Sequence, residues 1–108
     1  MVRVRRINDE RIIKAVVAEL WDNLIDDTPY SLDEYAPEID NNNRWYATYS
    51  DDELISLWYA HRMNHIMWQV HTHFRPVYWG KGVSTEHGRR AIKAIWKNTL
   101  RCKPKRRW

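Results

Sequence analysis

Glycine is nearly missing from this chain, and its three copies fall close together at Gly80, Gly82 and Gly88. Backbone freedom that a Cβ would deny is therefore concentrated in one short stretch. Cysteine occurs once, at Cys102, which excludes an internal disulfide and a thiolate metal cluster. That lone thiol reads as incidental rather than nucleophilic. Phenylalanine also occurs once, against seven Trp and six Tyr. Apolar burial must then come largely from rings that carry a polar atom as well. No apolar run approaches the length of a membrane span, and no signal-peptide pattern opens the chain. The expectation is a cytoplasmic protein without a membrane partner.

What is present suits one folded domain. A length of 108 residues allows one core and not two, and 44% hydrophobic residues outweigh a charged content of 30%. The formal charge of +4 is unevenly spread. Arg3, Arg5 and Arg6 lead the chain, Lys103, Lys105, Arg106 and Arg107 close it, and the stretch from Asp26 to Asp40 is acidic. Such asymmetry fits a phosphate-bearing ligand or a nucleic acid. The acidic middle counts against the broad basic face that nucleic acid needs, which makes it the weaker reading. Residues 1–100 are read as a single domain, and 101–108 as a solvated basic tail.

Periodicity orders the elements. Alternation from Val2 to Ile7 predicts a short, half-buried strand. Asn8 or Asp9 can cap a helix whose stripe runs through Ile12, Ile13, Val16, Val17, Leu20, Trp21, Leu24 and Ile25. Asp26 to Pro29 ends it, and Ser31 or Asp33 begins a short second helix through Glu38. Asp40 to Asn43 forms a turn. Strands are predicted over residues 44–49, 54–61 and 65–74, joined by links short enough for an antiparallel meander. From Ser84 a second long helix places Gly88, Ala91, Ile92, Ile95, Trp96 and Thr99 on one face. Glu86, Arg89, Arg90, Lys93 and Lys97 point outward from it. The fold class is α/β of the α+β type, in the order β-α-α-β-β-β-α, with a mostly antiparallel sheet.

The run from Trp79 through Gly80, Lys81, Gly82 and Val83 to Ser84 lies between a predicted strand and a predicted helix, with no acidic side chain between Arg75 and Thr85. Bare amides aimed at a helix start can hold a phosphate. A dinucleotide fingerprint needs another glycine and a parallel strand–helix–strand unit, and a P-loop needs Gly-Lys followed by Ser or Thr. Neither fits. The run resembles the pyrophosphate loop of the GNAT superfamily of N-acetyltransferases, Arg/Gln-x-x-Gly-x-Gly/Ala, with Trp79, Gly82 and Ser84 at its spaced positions. The stretch from Pro76 to Glu86 is closer to the Pro-x-Tyr-Trp-Gly-Lys-Gly-x-Ala-Thr-Glu of the ribosomal-protein N-acetyltransferase branch.

The resemblance implies acetyl-CoA as cofactor, with Trp79, Gly80, Lys81, Gly82, Val83 and Ser84 around the diphosphate and Phe74 and Arg75 beside the thioester. It also implies a chain that is shortened at its C-terminal end, lacking the fifth strand and the later helix that carries the family's acid. His71 and His73 share one face of the last strand and suit a general base by their near-neutral pKa. The same i, i+2 spacing would serve a metal only with a third ligand, and no metal is expected. The helix Glu86-His-Gly-Arg-Arg-Ala-Ile-Lys-Ala-Ile-Trp96 and the Trp-rich strands are similar to small GNAT-like proteins of tailed phages. That likeness implies a competing role as an assembly module, active in the bacterial host cytoplasm, with a homodimer or protein partner completing the sheet.

Overall fold

The computed structural model describes residues 2–24, 31–80 and 83–101. Strand β1 (Val2–Ile7) leads into helix α1 (Glu10–Leu24), whose first turn is capped by Asp9. The Asp9 carboxylate accepts the Arg11 N–H at 2.9 Å, and its carbonyl accepts Ile13 N–H at 3.3 Å. The short helix expected over residues 31–38 is a single 3-10 turn at Leu32–Glu34. Pro37 stops it, because a residue before proline is pushed out of the helical region. Strands β2 (Asn43–Ser50), β3 (Glu53–Arg62) and β4 (Trp68–Phe74) follow. A second 3-10 turn at Pro76–Tyr78 then precedes helix α2 (Val83–Arg101). The end of the first helix at residues 25–30, the Lys81 and Gly82 part of the glycine run, and the tail from Cys102 lie outside the described residues.

The four strands form one antiparallel sheet in the order β1-β2-β3-β4. The last strand starts at Trp68 rather than at residue 65. Asn64 causes this: its side-chain oxygen accepts the N–H groups of Ile66 and Met67, both at 3.0 Å, and turns the chain before a ladder can form. A tight turn at Asp51-Asp52 joins β2 to β3, with Asp51 at φ 55, a left-handed conformation that Asp tolerates. The register shifts beside that turn, so Ile55 has no partner of its own and the pairing resumes at Thr48↔Ser56.

Alternation along β2 and β3 sends side chains to two separate cores. Trp45, Ala47 and Leu57 meet Ile13, Val16, Val17 and Leu20 of α1. Tyr46, Trp58 and Ala60 meet Ala91 and Ile95 of α2. The helices therefore cover opposite faces, α1 over β3 and β4 and α2 over β1 and β2. No helix among the described residues is long and apolar enough to cross a membrane.

On the α2 face the buried polar groups form a line. The Trp58 indole N–H donates to Ser56 Oγ at 3.0 Å, Ser56 pairs with Thr48 Oγ1, and Thr48 meets His87 Nδ1 at 3.2 Å. Each hydroxyl has one proton. Since Ser56 receives the indole proton, every donor is used only if Ser56 donates to Thr48 and Thr48 to His87. His87 is then a neutral imidazole with its hydrogen on Nε2. Position 87 had been passed over in favour of Ile92 and Trp96, yet His87 is 4% exposed while Ile92 is 49% and Trp96 65% exposed. The inward arc of α2 centres on His87, Ala91 and Ile95, with the Trp58 ring over Gly88 at 3.7 Å from where a Cβ would sit, an ordinary packing distance.

Leu57 is wholly buried under α1 in the middle of the sheet. Leu57→Ala is expected to cost about 3 kcal/mol of stability in urea denaturation. A loss under ~1 kcal/mol would place the core elsewhere.

Candidate functional site

Two regions carry the residues singled out above: the chain leaving β4, and a cleft on the α1 face of the sheet. Leaving β4, the Arg75 N–H donates to Ile55 O at 3.1 Å, which extends the ladder by one bond. Its guanidinium donates to both Glu19 oxygens, at 3.0 and 3.1 Å, and to Leu54 O at 3.0 Å. Arg75 thus clamps the strand end to α1. Phe74 packs edge-on against Trp58 at 6.0 Å, and its carbonyl accepts the Trp79 indole N–H at 2.8 Å.

Pro76 starts the 3-10 turn that follows, so the amides of Tyr78 and Trp79 are spent on Arg75 O and Pro76 O, at 2.9 and 3.1 Å. Trp79 therefore offers an anion no main-chain donor. Available amides in the run would begin at Gly80, which sits at φ +75 with nothing within 4 Å of a built Cβ. Val83 opens the 19-residue helix α2, and Ser84 follows in its first turn. Lys81 and Gly82 lie outside the described residues.

The cleft is built by strand register. Trp45 lies opposite Tyr59, and Tyr59 opposite His71, so three strands each place one ring in a row on the same face. Trp45 stacks on Tyr59 with centroids 4.6 Å apart. Tyr59 stacks on His61 at 5.2 Å and on His71 at 5.9 Å, and the two imidazoles are parallel within 7° at 5.3 Å. His73 stands one position further along β4, its ring centroid 6.0 Å from that of Trp45. Across from this row, Trp21 of α1 meets Tyr35 edge-on at 5.9 Å. Residues 35–38 close the side, pinned where the Trp45 indole N–H donates to Glu38 O at 2.9 Å. The cleft is open to solvent and has a volume of about 360 Å³.

Burial sets the charge states here. It lowers the His73 pKa, and the neighbouring His71 charge adds to the effect. Burial also lowers His71, followed by repulsion from His61, whose Nε2 lies 3.3 Å from that of His71. Both rings are held neutral near pH 7. His73 Nδ1 is buried and has no hydrogen-bond partner among the described residues. Tyr59 donates its hydroxyl proton to Asn43, and its pKa is raised by burial, then by the Glu38 and Asp40 charges. Among the described residues no three His, Cys, Asp or Glu side chains converge to hold a metal ion.

No family model, curated protein or solved structure matches the chain. The site is accordingly read from its own residues. His71 and His73 do lie together on one face, with Val70, Thr72 and Phe74 of β4 on the other. Trp21, Tyr35, Glu38, Trp45, Tyr59 and His61 were not picked out from the sequence as site residues. Period-2 spacing of Tyr59 with His61, and of His71 with His73, was the available signal. What it lacked was the register that makes the two pairs neighbours.

His71, His73 and His87 all have lowered pKa values, each with burial as the first cause. The unfolded chain then binds protons more readily than the folded one below about pH 6.5. Stability is fully present above that pH and is lost as pH falls toward the lowered folded-state values. Urea midpoints are expected to drop between about pH 7 and pH 5, with His87→Gln showing a shallower slope. Midpoints that rise on acidification would contradict this assignment.

Proposed function

We propose that the domain binds acetyl-CoA and transfers its acetyl group to an amine, in the manner of the GNAT superfamily it resembles. The observation that carries this reading is the path out of β4. That strand pairs on one side only among the described residues, and its outer edge can accept the amides of an extended ligand arm. A few residues beyond it, Gly80 takes a left-handed bend with open space around it, and α2 begins at Val83. The first amides of a helix have no carbonyl partner within it and favour an anion. Gly80, Lys81, Gly82, Val83 and Ser84 would hold the diphosphate.

When bound, acetyl-CoA supplies an activated acetyl thioester. The chain's own part is to handle the acceptor's proton. His73 is held neutral by burial, which outweighs the opposing effect of the Leu57 backbone, and a neutral imidazole can take a proton. His71 beside it, stacked on His61, extends the neutral surface. Tyr59 stays protonated at neutral pH and keeps Asn43 in place. The helix-borne acid typical of the family has no counterpart among the described residues.

A second reading has its own observation. From Trp68 to Phe74 the outer strand carries no Lys, Arg, Asp, Glu or Pro to deter pairing. The hairpin before it exposes Met63, Ile66 and Met67. A homodimer or another protein joining this edge would make the domain an assembly module, the role implied by the phage resemblance.

At about tenfold over its dissociation constant, acetyl-CoA is expected to raise the melting temperature by roughly 5 °C. Gly82→Asp, which sets a negative charge against the diphosphate, is expected to abolish the shift. No shift with the wild-type chain, together with dimer mass on sedimentation, would overturn the enzyme reading in favour of assembly.

A further inference from the structure

The α1-face cleft has a one-sided chemistry. Its walls are Trp21, Tyr35, Trp45 and Tyr59, and among the described residues no Lys or Arg lines it. Among the described residues Glu38 is its only carboxylate, touched by the Asn43 side-chain amide at 3.5 Å and by no cationic side chain. Asp40 lies close enough for its charge, with that of Glu38, to bear on Tyr59. The Asp40 carboxyl is held below the usual range, first by the Asn42 N–H it accepts at 2.8 Å, and so is charged at neutral pH. The imidazoles that complete the wall add no positive charge near pH 7.

Ring faces carry negative quadrupole charge, and a cation within about 6 Å of a ring centroid is attracted to it. The Glu38 carboxylate, exposed at the rim of the same cleft, adds a direct Coulomb term that solvent weakens but does not remove. Among the described residues the lining offers an anion no cationic side chain. We propose that this cleft binds an organic ammonium cation, its head group seated between the Trp21–Tyr35 pair and the Trp45–Tyr59 stack with Glu38 as counter-ion. The volume of about 360 Å³ admits the head group together with a short chain. This site lies on the opposite face of the sheet from α2, and it stands whether or not acetyl-CoA is bound.

The probes are choline, n-pentylammonium and the neutral choline isostere 3,3-dimethylbutan-1-ol, each titrated into the full chain and followed by the ligand's own proton shifts. Saturable binding of the cations is expected, with methyl or methylene signals moved upfield by the surrounding rings. Choline is expected to bind about tenfold tighter than its isostere. Glu38→Gln should weaken choline by roughly threefold to tenfold and leave the isostere unchanged. Tyr35→Leu should weaken choline comparably, while Tyr35→Phe, which keeps the ring, should retain it. Equal affinity for choline and the isostere would overturn the proposal, as would the absence of saturable shifts from both cations. Unchanged choline binding in Glu38→Gln and Tyr35→Leu would do the same.

Discussion

Pairing of β2 with β3 governs the rest of this domain, because both strands are buried on both faces in their central parts. A strand with one wet face can slip by two residues at modest cost. Here every residue from Arg44 to Thr48 is buried, and Ile55 to Trp58 likewise. A slip of β2 by one residue would drive Arg44 and Thr48 into the apolar layer under α1 and turn Trp45 toward the polar line under α2. Each such move strands a buried polar group without its partners. The unpaired Ile55 reconciles this register with the tight turn at Asp51-Asp52.

The two faces that result differ in chemistry. Under α2, the Trp58 indole, two hydroxyls and His87 satisfy one another, while Arg44 lies 4.8 Å over the Trp68 ring and donates to Asn41 O and Asn98. That face spends these polar groups on one another, while the buried Tyr78 hydroxyl near His87 has no hydrogen-bond partner among the described residues. Under α1, the rings of three strands line up with Glu38 nearby, and one imidazole nitrogen is left over. The difference is what makes the α1 face the place to look for a small-molecule ligand. Arg75 links this face to the glycine run, since it ties the end of β4 to Glu19 on α1.

Much of the architecture was legible because the helices announce themselves by period and the strands by their short links. The stripe from Ile13 to Leu20 and the three-strand meander needed no tertiary information. Boundaries moved where a side chain bonded locally, as Asn64 does before β4 and as Pro37 does after the 3-10 turn. The inward arc of α2 was misjudged for a physical reason. A hydrophobicity pattern favours Ile92 and Trp96 over a histidine, and only the Thr48 hydroxyl across the interface makes His87 acceptable inside. In the same way, Arg75 looked available in the sequence because Glu19 is far away along the chain. The cleft itself depends on cross-strand neighbours, which no one-dimensional period reveals.

The ring row is the claim on which the site depends, and it is a statement about register. Contacts among ring protons in an isotope-labelled sample read that register directly by nuclear magnetic resonance. The account expects cross-relaxation between Trp45 and Tyr59 and between Tyr59 and His71. Contacts of the Tyr59 ring with Tyr46 or Thr72 in their place would mean that the strands are paired otherwise, and that the cleft described above does not exist.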